Sequence, residues 1–125
     1  MKKRIDDLTD ELKRFLKIPR VKLQRELLSD IPSGWGIYRI FIPNSKRTLY
    51  IGISSRLKHR IRNDLLGLSG AHTLKHKLYE DKKLRRAKAI GYLNKCYIQF
   101  MKGKEEQVVA LEHFAIAVLK PRLND

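Results

Sequence analysis

The stretch GIYRIFIPNSKRTLYIG, residues 36–52, decides how the rest of the chain reads. Its two ends are β-branched and aromatic, and its middle, PNSKR at 43–47, carries proline, asparagine and serine. That composition predicts strand, turn and strand, a β-hairpin whose side chains alternate between two faces. Tyr38 and Tyr50 stand on opposite arms, each in a tripeptide with a glycine at one end. Taken alone they are ordinary sheet aromatics, and only residues elsewhere in the chain can make them more.

Working outward, the first strand starts near Trp35 and the second is TLYIGIS, residues 48–54. Upstream, residues 6–18 place Leu8, Leu12, Phe15 and Leu16 on one helical stripe, with acids in the first turn. Pro19 stops that helix, and RVKLQRELLSDI, residues 20–31, predicts a second one ending before Pro32. Downstream, residues 55–68 predict a helix burying Leu57, Ile61, Leu65 and Leu68, interrupted by Gly67 and Gly70. Thr73 is the expected N-cap of a basic helix running to about Lys88. NKCYIQFMK is a third strand with Cys96, Ile98 and Phe100 on one face. A last helix carries Val108, Leu111, Ala115, Val118 and Leu119 on its apolar side and stops at Pro121. The expected fold is mixed α/β (α+β): a three-stranded sheet flanked by helices in residues 33–125, preceded by a paired-helix arm in 1–32.

Composition narrows the partners. The 125 residues suffice for one domain with a modest core. No run of residues reaches the roughly 20 apolar positions a bilayer span needs, and no apolar segment follows the basic N-terminus as a secretory signal requires. One cysteine, Cys96, allows no internal disulfide, which fits an intracellular, cytoplasmic setting. The charge is +15, from 28 Lys and Arg against 13 Asp and Glu. Residues 1–30 hold nine basic and six acidic residues, so +12 of the charge lies beyond them. Such a field favours a polyanion, above all nucleic acid. It says nothing about catalysis.

Two positions carry chemistry beyond charge. Glu112 falls within the apolar stripe of the last helix, where a carboxylate is costly unless paired, hydrogen-bonded or metal-bound. The plainer alternative is a glutamate at the stripe's edge, reaching solvent or an arginine. Arg60 abuts the apolar side of its helix beside Leu57 and Ile61, with Asp64 one turn on. It reads either as half of an i,i+4 ion pair or as a guanidinium placed to grip a phosphate. Four scattered histidines and one cysteine give no zinc spacing, and no nucleotide-cradling glycine loop is present.

In combination these residues resemble the GIY-YIG nuclease superfamily. The likeness runs from about Gly34 to Asn124: Gly36-Ile37-Tyr38, eleven residues, Tyr50-Ile51-Gly52, then Ser54, Leu57, Arg60, Glu112, Pro121 and Asn124. Five elements in order form a specific signature where any one alone is weak. The resemblance implies a three-stranded antiparallel sheet and a DNA endonuclease leaving 5′-phosphate and 3′-hydroxyl ends. It implies Mg²⁺ or Mn²⁺ on Glu112, Arg60 on the scissile phosphate, Tyr38 as general base, Tyr50 orienting water or phosphate, and Asn124 as a brace. Many members place His or Tyr four residues after the arginine, where this chain has Asp64. A phenol, whose pKa is ordinarily about 10, needs help to act as a base; Asp64 is a poor proton acceptor, and His59, His72 and Lys46 are the alternative proton relays.

Lys46, Arg47, Ser54, Arg56, Lys58 and Arg62, with Lys75, Lys77, Lys82, Lys83, Arg85 and Arg86 on the basic helix, are the expected nucleic-acid contacts. Backbone N–H groups at residues 71–73 could add a phosphate site at that helix's start. DNA is the expected partner ahead of RNA, with a homodimer as one route to double-strand cutting. The alternative is a non-catalytic nucleic-acid-binding module on the same fold, although pure binding has no use for Glu112.

Overall fold

In a computed structural model the described residues are 2–67, 69–81 and 85–124; the side chains of 2–6, 81 and 86 lie outside the description. The elements are α1 (Lys2–Leu16), β1 (Val21–Lys22), a 3₁₀ turn (Arg25–Leu27), β2 (Gly36–Phe41), β3 (Thr48–Ser54) and α2 (Leu57–His59). A π-helix (Arg60–Leu65) continues α2, followed by α3 (Thr73–Asp81), α4 (Arg86–Leu93), β4 (Tyr97–Lys102) and α5 (Glu105–Leu119).

The hairpin forms where expected. Tyr38 lies opposite Gly52 and Ile40 opposite Tyr50, with a register shift between Ile40 and Phe41. Ile42 N–H closes onto Arg47 O at 2.9 Å, and Asn44 takes the left-handed turn position at φ 59° that asparagine tolerates. β4 pairs antiparallel with the other edge of β2, so β2 is central and almost wholly buried, as its near-continuous apolar run requires.

The sheet has four strands, ordered β1-β4-β2-β3, where three were expected. The fourth comes from the segment read as a second helix, and the helical pair is therefore corrected to one helix and an edge strand. Val21 and Leu23 alternate with polar residues, and the free edge of β4 offers partners: Val21 pairs with Ile98, and Leu23 N–H bonds Cys96 O at 3.0 Å. Leu23 and Leu28 are then fully buried, while Leu27 stays 53% exposed. The single basic helix expected from Thr73 to Lys88 is also corrected. It ends at Asp81, and α4 begins at Arg86, burying Ala89 and Leu93.

Two cores lie on opposite faces of the sheet. Tyr38, Ile40 and Ile98 pack with Leu57, Ile61, Leu65, Leu74 and Leu78 beneath α2–α4. Ile37 and Ile51 pack with Leu12 and Phe15 of α1 and with Val108, Leu111 and Ala115 of α5. The N-terminal segment is thus built into the domain through both α1 and β1. Cys96, Ile98 and Phe100 do share one core, whereas Val118 is 53% exposed and outside the apolar face assigned to it. Leu68 lies outside the described residues. Among the described residues no helix is long and apolar enough to cross a membrane.

Candidate active site

The two glycines of the hairpin are needed for space. A Cβ on Gly52 would sit 2.5 Å from Tyr38 Cζ and Oη and 2.9 Å from Tyr50 Cε1. One on Gly36 would meet Leu57 Cδ2 at 2.5 Å and Met101 O at 2.8 Å. Both phenols therefore lie over a bare stretch of backbone, their ring centroids 6.2 Å apart.

His72 completes an aromatic trio, edge-on to Tyr38 at 6.0 Å and to Tyr50 at 5.6 Å. Its Nε2 is 2.6 Å from Tyr38 Oη. The same residue starts α3. His72 O accepts the first helical bond from His76 N–H, and ring Nδ1 accepts the Leu74 N–H at 2.9 Å. His72 is thus the N-cap, in place of Thr73. A nitrogen that accepts a backbone N–H carries no proton, so the neutral ring holds its proton on Nε2. The Tyr38 bond then runs from His72 Nε2–H to the phenolic oxygen. Burial, then the positive charges of Arg60 and Lys75, push the imidazole pKa down to about 3, keeping it neutral.

Tyr38 is 1% exposed. Burial, then neighbouring Tyr50, raises its pKa, while Arg60 lowers it and Glu112 acts in the raising direction. Both Arg60 and Glu112 therefore act electrostatically on the same phenol. Arg60 rises from the first turn of the π-helix. Its Nη1 donates to Asp64 Oδ2 at 3.2 Å and to Ala71 O at 3.0 Å. Asp64 also lies 3.5 Å from His59 Nε2, so Asp64 and His59 are engaged with each other, and Asp64 with Arg60. His72 contacts the Tyr38 phenol, whereas Asp64 is engaged by Arg60 and His59. Arg60 and His72 share the wall of a cavity of about 550 Å³ with Ser69, Thr73 and Tyr79.

Glu112, on α5, is half-buried. It has no hydrogen-bond or ion-pair partner among the described residues, and burial raises its carboxyl pKa against a smaller opposing effect of His113. An unpartnered, half-desolvated carboxylate suits a hydrated Mg²⁺, which takes one protein oxygen and keeps waters and phosphate oxygens as its other ligands. No cluster of three or more His, Cys, Asp or Glu able to hold a metal occurs among the described residues, so Glu112 would be a solitary ligand.

Asn124 braces β3. Its Oδ1 accepts the Ile51 N–H at 2.8 Å, and its Nδ2 donates to Ile51 O at 2.8 Å. The side chain acts as a strand partner for the residue between Tyr50 and Gly52. Asn124→Ala strands both Ile51 groups and is expected to destabilise the protein by about 1–3 kcal/mol. Chemical denaturation measures this, and an unchanged midpoint would refute the bracing role.

The expected nucleic-acid residues divide. Lys75 is corrected from a phosphate contact to a structural ammonium: it is 1% exposed, and its Nζ donates to the carbonyls of Asp64 (3.0 Å), Gly67 (2.6 Å) and Gly70. It thereby satisfies carbonyls at the end of the π-helix. Lys77 Nζ donates to Leu123 O at 2.7 Å. Arg56, Lys58 and Arg62 line a separate cavity of about 390 Å³ with Arg25, and Arg62 Nε is buried with no hydrogen-bond partner among the described residues. Ser54 Oγ accepts the Arg56 N–H at 3.0 Å, turning β3 into α2. Lys46 and Arg47 lie at the hairpin turn, and Arg85 is exposed. Lys82 and Lys83 lie outside the described residues, as does the side chain of Arg86. Arg39 was not singled out in the sequence, although an arginine between Tyr38 and Ile40 in a buried strand was a signal. No family model, curated protein or solved structure matches the chain.

Proposed function

We propose that this protein is an intracellular, metal-dependent endonuclease with a GIY-YIG-like fold, hydrolysing DNA phosphodiester bonds to 5′-phosphate and 3′-hydroxyl ends. The observation that carries this reading is the packing of Tyr38, Tyr50 and His72 ring to ring, with His72 and Arg60 on the wall of one cavity. A core aromatic cluster has no need of a half-buried carboxylate without a partner, whereas phosphoryl chemistry does.

Water attacks phosphorus as the bond to the 3′ oxygen breaks; the attacking water gives up a proton to solvent and the departing 3′ oxygen takes one from solvent, so the net change is hydrolysis alone. Glu112 would hold a divalent ion such as Mg²⁺, which when bound would supply neutralisation of charge on the phosphate and the departing oxygen. Arg60 grips a non-bridging phosphate oxygen, exchanging part of its bond to Asp64 for one to substrate. Tyr38 holds the attacking water. As a buried phenol it keeps its proton in the free protein, and its ionisation depends on the charges that arrive with substrate. His72 does not receive that proton, because its only basic nitrogen is spent on the α3 cap. It donates from Nε2 and stabilises the phenolic oxygen as negative charge develops there. The net charge of +15 supplies attraction to the duplex.

The test is conversion of supercoiled plasmid to open circle. Wild type is expected to nick with Mg²⁺ and to stop when the metal is chelated, and Tyr38→Phe is expected to bind DNA without nicking. Binding without cleavage of plasmid, branched DNA or RNA in Mg²⁺ and Mn²⁺ would overturn the enzyme and leave a binding module.

A further inference from the structure

Tyr38 and Arg39 are consecutive on β2, so their side chains leave opposite faces of the sheet. On the face away from Tyr38, Arg39 is half-buried against the ring of Phe41, its guanidinium carbon 4.3 Å from the centroid. Arg20 lies over the same ring at 5.0 Å and over Tyr97 at 4.5 Å. Two guanidiniums thus share one aromatic surface, an arrangement that costs repulsion as well as desolvation. Among the described residues Arg39 is held by neutral acceptors: Thr48 Oγ1 at 2.7 Å, Gln99 Oε1 at 3.2 Å and Lys46 O at 3.3 Å. Burial, followed by the charge of Arg20, lowers its pKa, the mark of a cation short of negative charge.

Beside it opens a cavity of about 710 Å³ between the β2–β3 turn and the C-terminal end of α5. Arg39, Lys46, Arg47, Lys120 and Arg122 line it, and no carboxylate does among the described residues. Val118 and Leu119 give it an apolar floor at the point where α5 ends. Arg39, Lys46, Arg47 and Lys120 meet here from three separate segments with no carboxylate in the lining among the described residues, whereas Arg60 and His59 at the other site have Asp64.

We propose that this cavity is a second phosphate-binding site, on the face of the sheet opposite Tyr38. Arginine forks match phosphate oxygens bidentately, and a multiply charged anion offsets the repulsion between Arg20 and Arg39. The phosphate belongs to a nucleic-acid backbone that passes the β3 edge on its way between the two faces. This choice of source rests on the proposed function, while the phosphate chemistry does not. The sequence reading placed Lys46 and Arg47 on nucleic acid but gave them no common site with Arg39, Lys120 and Arg122.

The experiment uses the full chain without metal, so that no cleavage is required and a protein lacking nuclease activity gives the same answer. Arg47→Ala/Lys120→Asn removes two exposed charges; Asn is chosen because residue 120 has φ 47°. Lys102→Asn/Lys104→Asn, exposed residues at the far end of β4, makes the same change in net charge elsewhere. Fluorescence anisotropy of a labelled duplex gives affinity against salt, and thermal shift with pyrophosphate reads a free-phosphate site. Loss of about one to two from the log–log salt slope is expected for the first double variant, and little change for the second. Pyrophosphate stabilisation of wild type that vanishes in the first variant, with an unchanged DNA slope, would keep the phosphate site but assign it to a free ligand. Equal slope losses in both double variants, or no loss in either measurement, would overturn the site.

Discussion

Glu112→Gln is expected to reduce metal-dependent nicking by roughly 10³-fold while leaving the fold intact. Stabilisation of charge by a bound divalent ion is worth several kcal/mol, and each 1.4 kcal/mol is about tenfold in rate. Glu112 has no protein partner among the described residues, so its amide replacement breaks no hydrogen bond or ion pair there. The thermal midpoint should hold or rise slightly, because a carboxylate that burial disfavours has been removed. Mg²⁺ should stabilise wild type and not the variant, a readout independent of turnover. Full nicking by the variant would remove Glu112 from the site. A large fall in its midpoint would make the glutamate structural.

His72→Asn is expected to separate two jobs held by one ring. Asparagine is a favoured N-cap and can keep the Leu74 N–H satisfied, but it is too short to replace the donor to Tyr38. If His72 only positions Tyr38, loss of that bond should cost roughly 1–1.5 kcal/mol, or about tenfold in kcat. A general base would cost about 10²–10⁴-fold, and its loss would also remove a limb of the pH–rate profile. The larger fall would refute the donor assignment.

The same variant tests the ring by acid titration. The native pKa, about 3, lies below the ordinary 6.5. Between those values the unfolded chain binds a proton that the native protein does not, so stability falls as pH drops below about 6.5. The slope approaches about 1.4 kcal/mol per pH unit from this group. Above that window the ring is neutral in both states and the dependence vanishes. His72→Asn should flatten this part of the curve in urea titrations from pH 7 to 4; parallel curves would mean the imidazole is not held neutral.

Local pattern explains what could be read without coordinates. The hairpin carried its own turn chemistry, and the stripe Leu57, Ile61, Leu65 fixed a helix and its buried side. The segment at 20–31 misled because its leucines also fit a helical period, while its strand character depends on β4, some seventy residues away. A two-residue strand has almost no signal of its own. The basic helix broke because Ala89 and Leu93 had a core to reach, which charge counting ignores.

The proposed site followed the same rule. Tyr38, Tyr50, Arg60, Glu112 and Asn124 were legible as an ordered pattern. That His72 meets Tyr38 across 34 residues was legible only as one choice beside Asp64, His59 and Lys46. A histidine before a helix start resembles an exposed side chain until the fold brings it beneath β2. Lys75 was misassigned for the opposite reason: a lysine in a basic run looks solvated, yet the carbonyl of Asp64 in the π-helix and those of Gly67 and Gly70 beyond it take its ammonium. Arg39 shows neither failing, since its setting depends on Arg20 and Phe41 meeting only in the folded sheet.

The segment from Arg122 to Asn124 has a consequence for how copies of this protein behave together. Arg122 and Leu123 give their N–H groups to Thr48 and Leu49, and Asn124 occupies both polar groups of Ile51. The outer rim of β3 is therefore covered from Thr48 to Ile51, and the rim at β1 is only two residues long. Neither border offers a long row of open backbone groups on which another chain could zip. For a protein so rich in β-branched strands, the last three described residues act as a guard against aggregation, and their removal would expose a template for it.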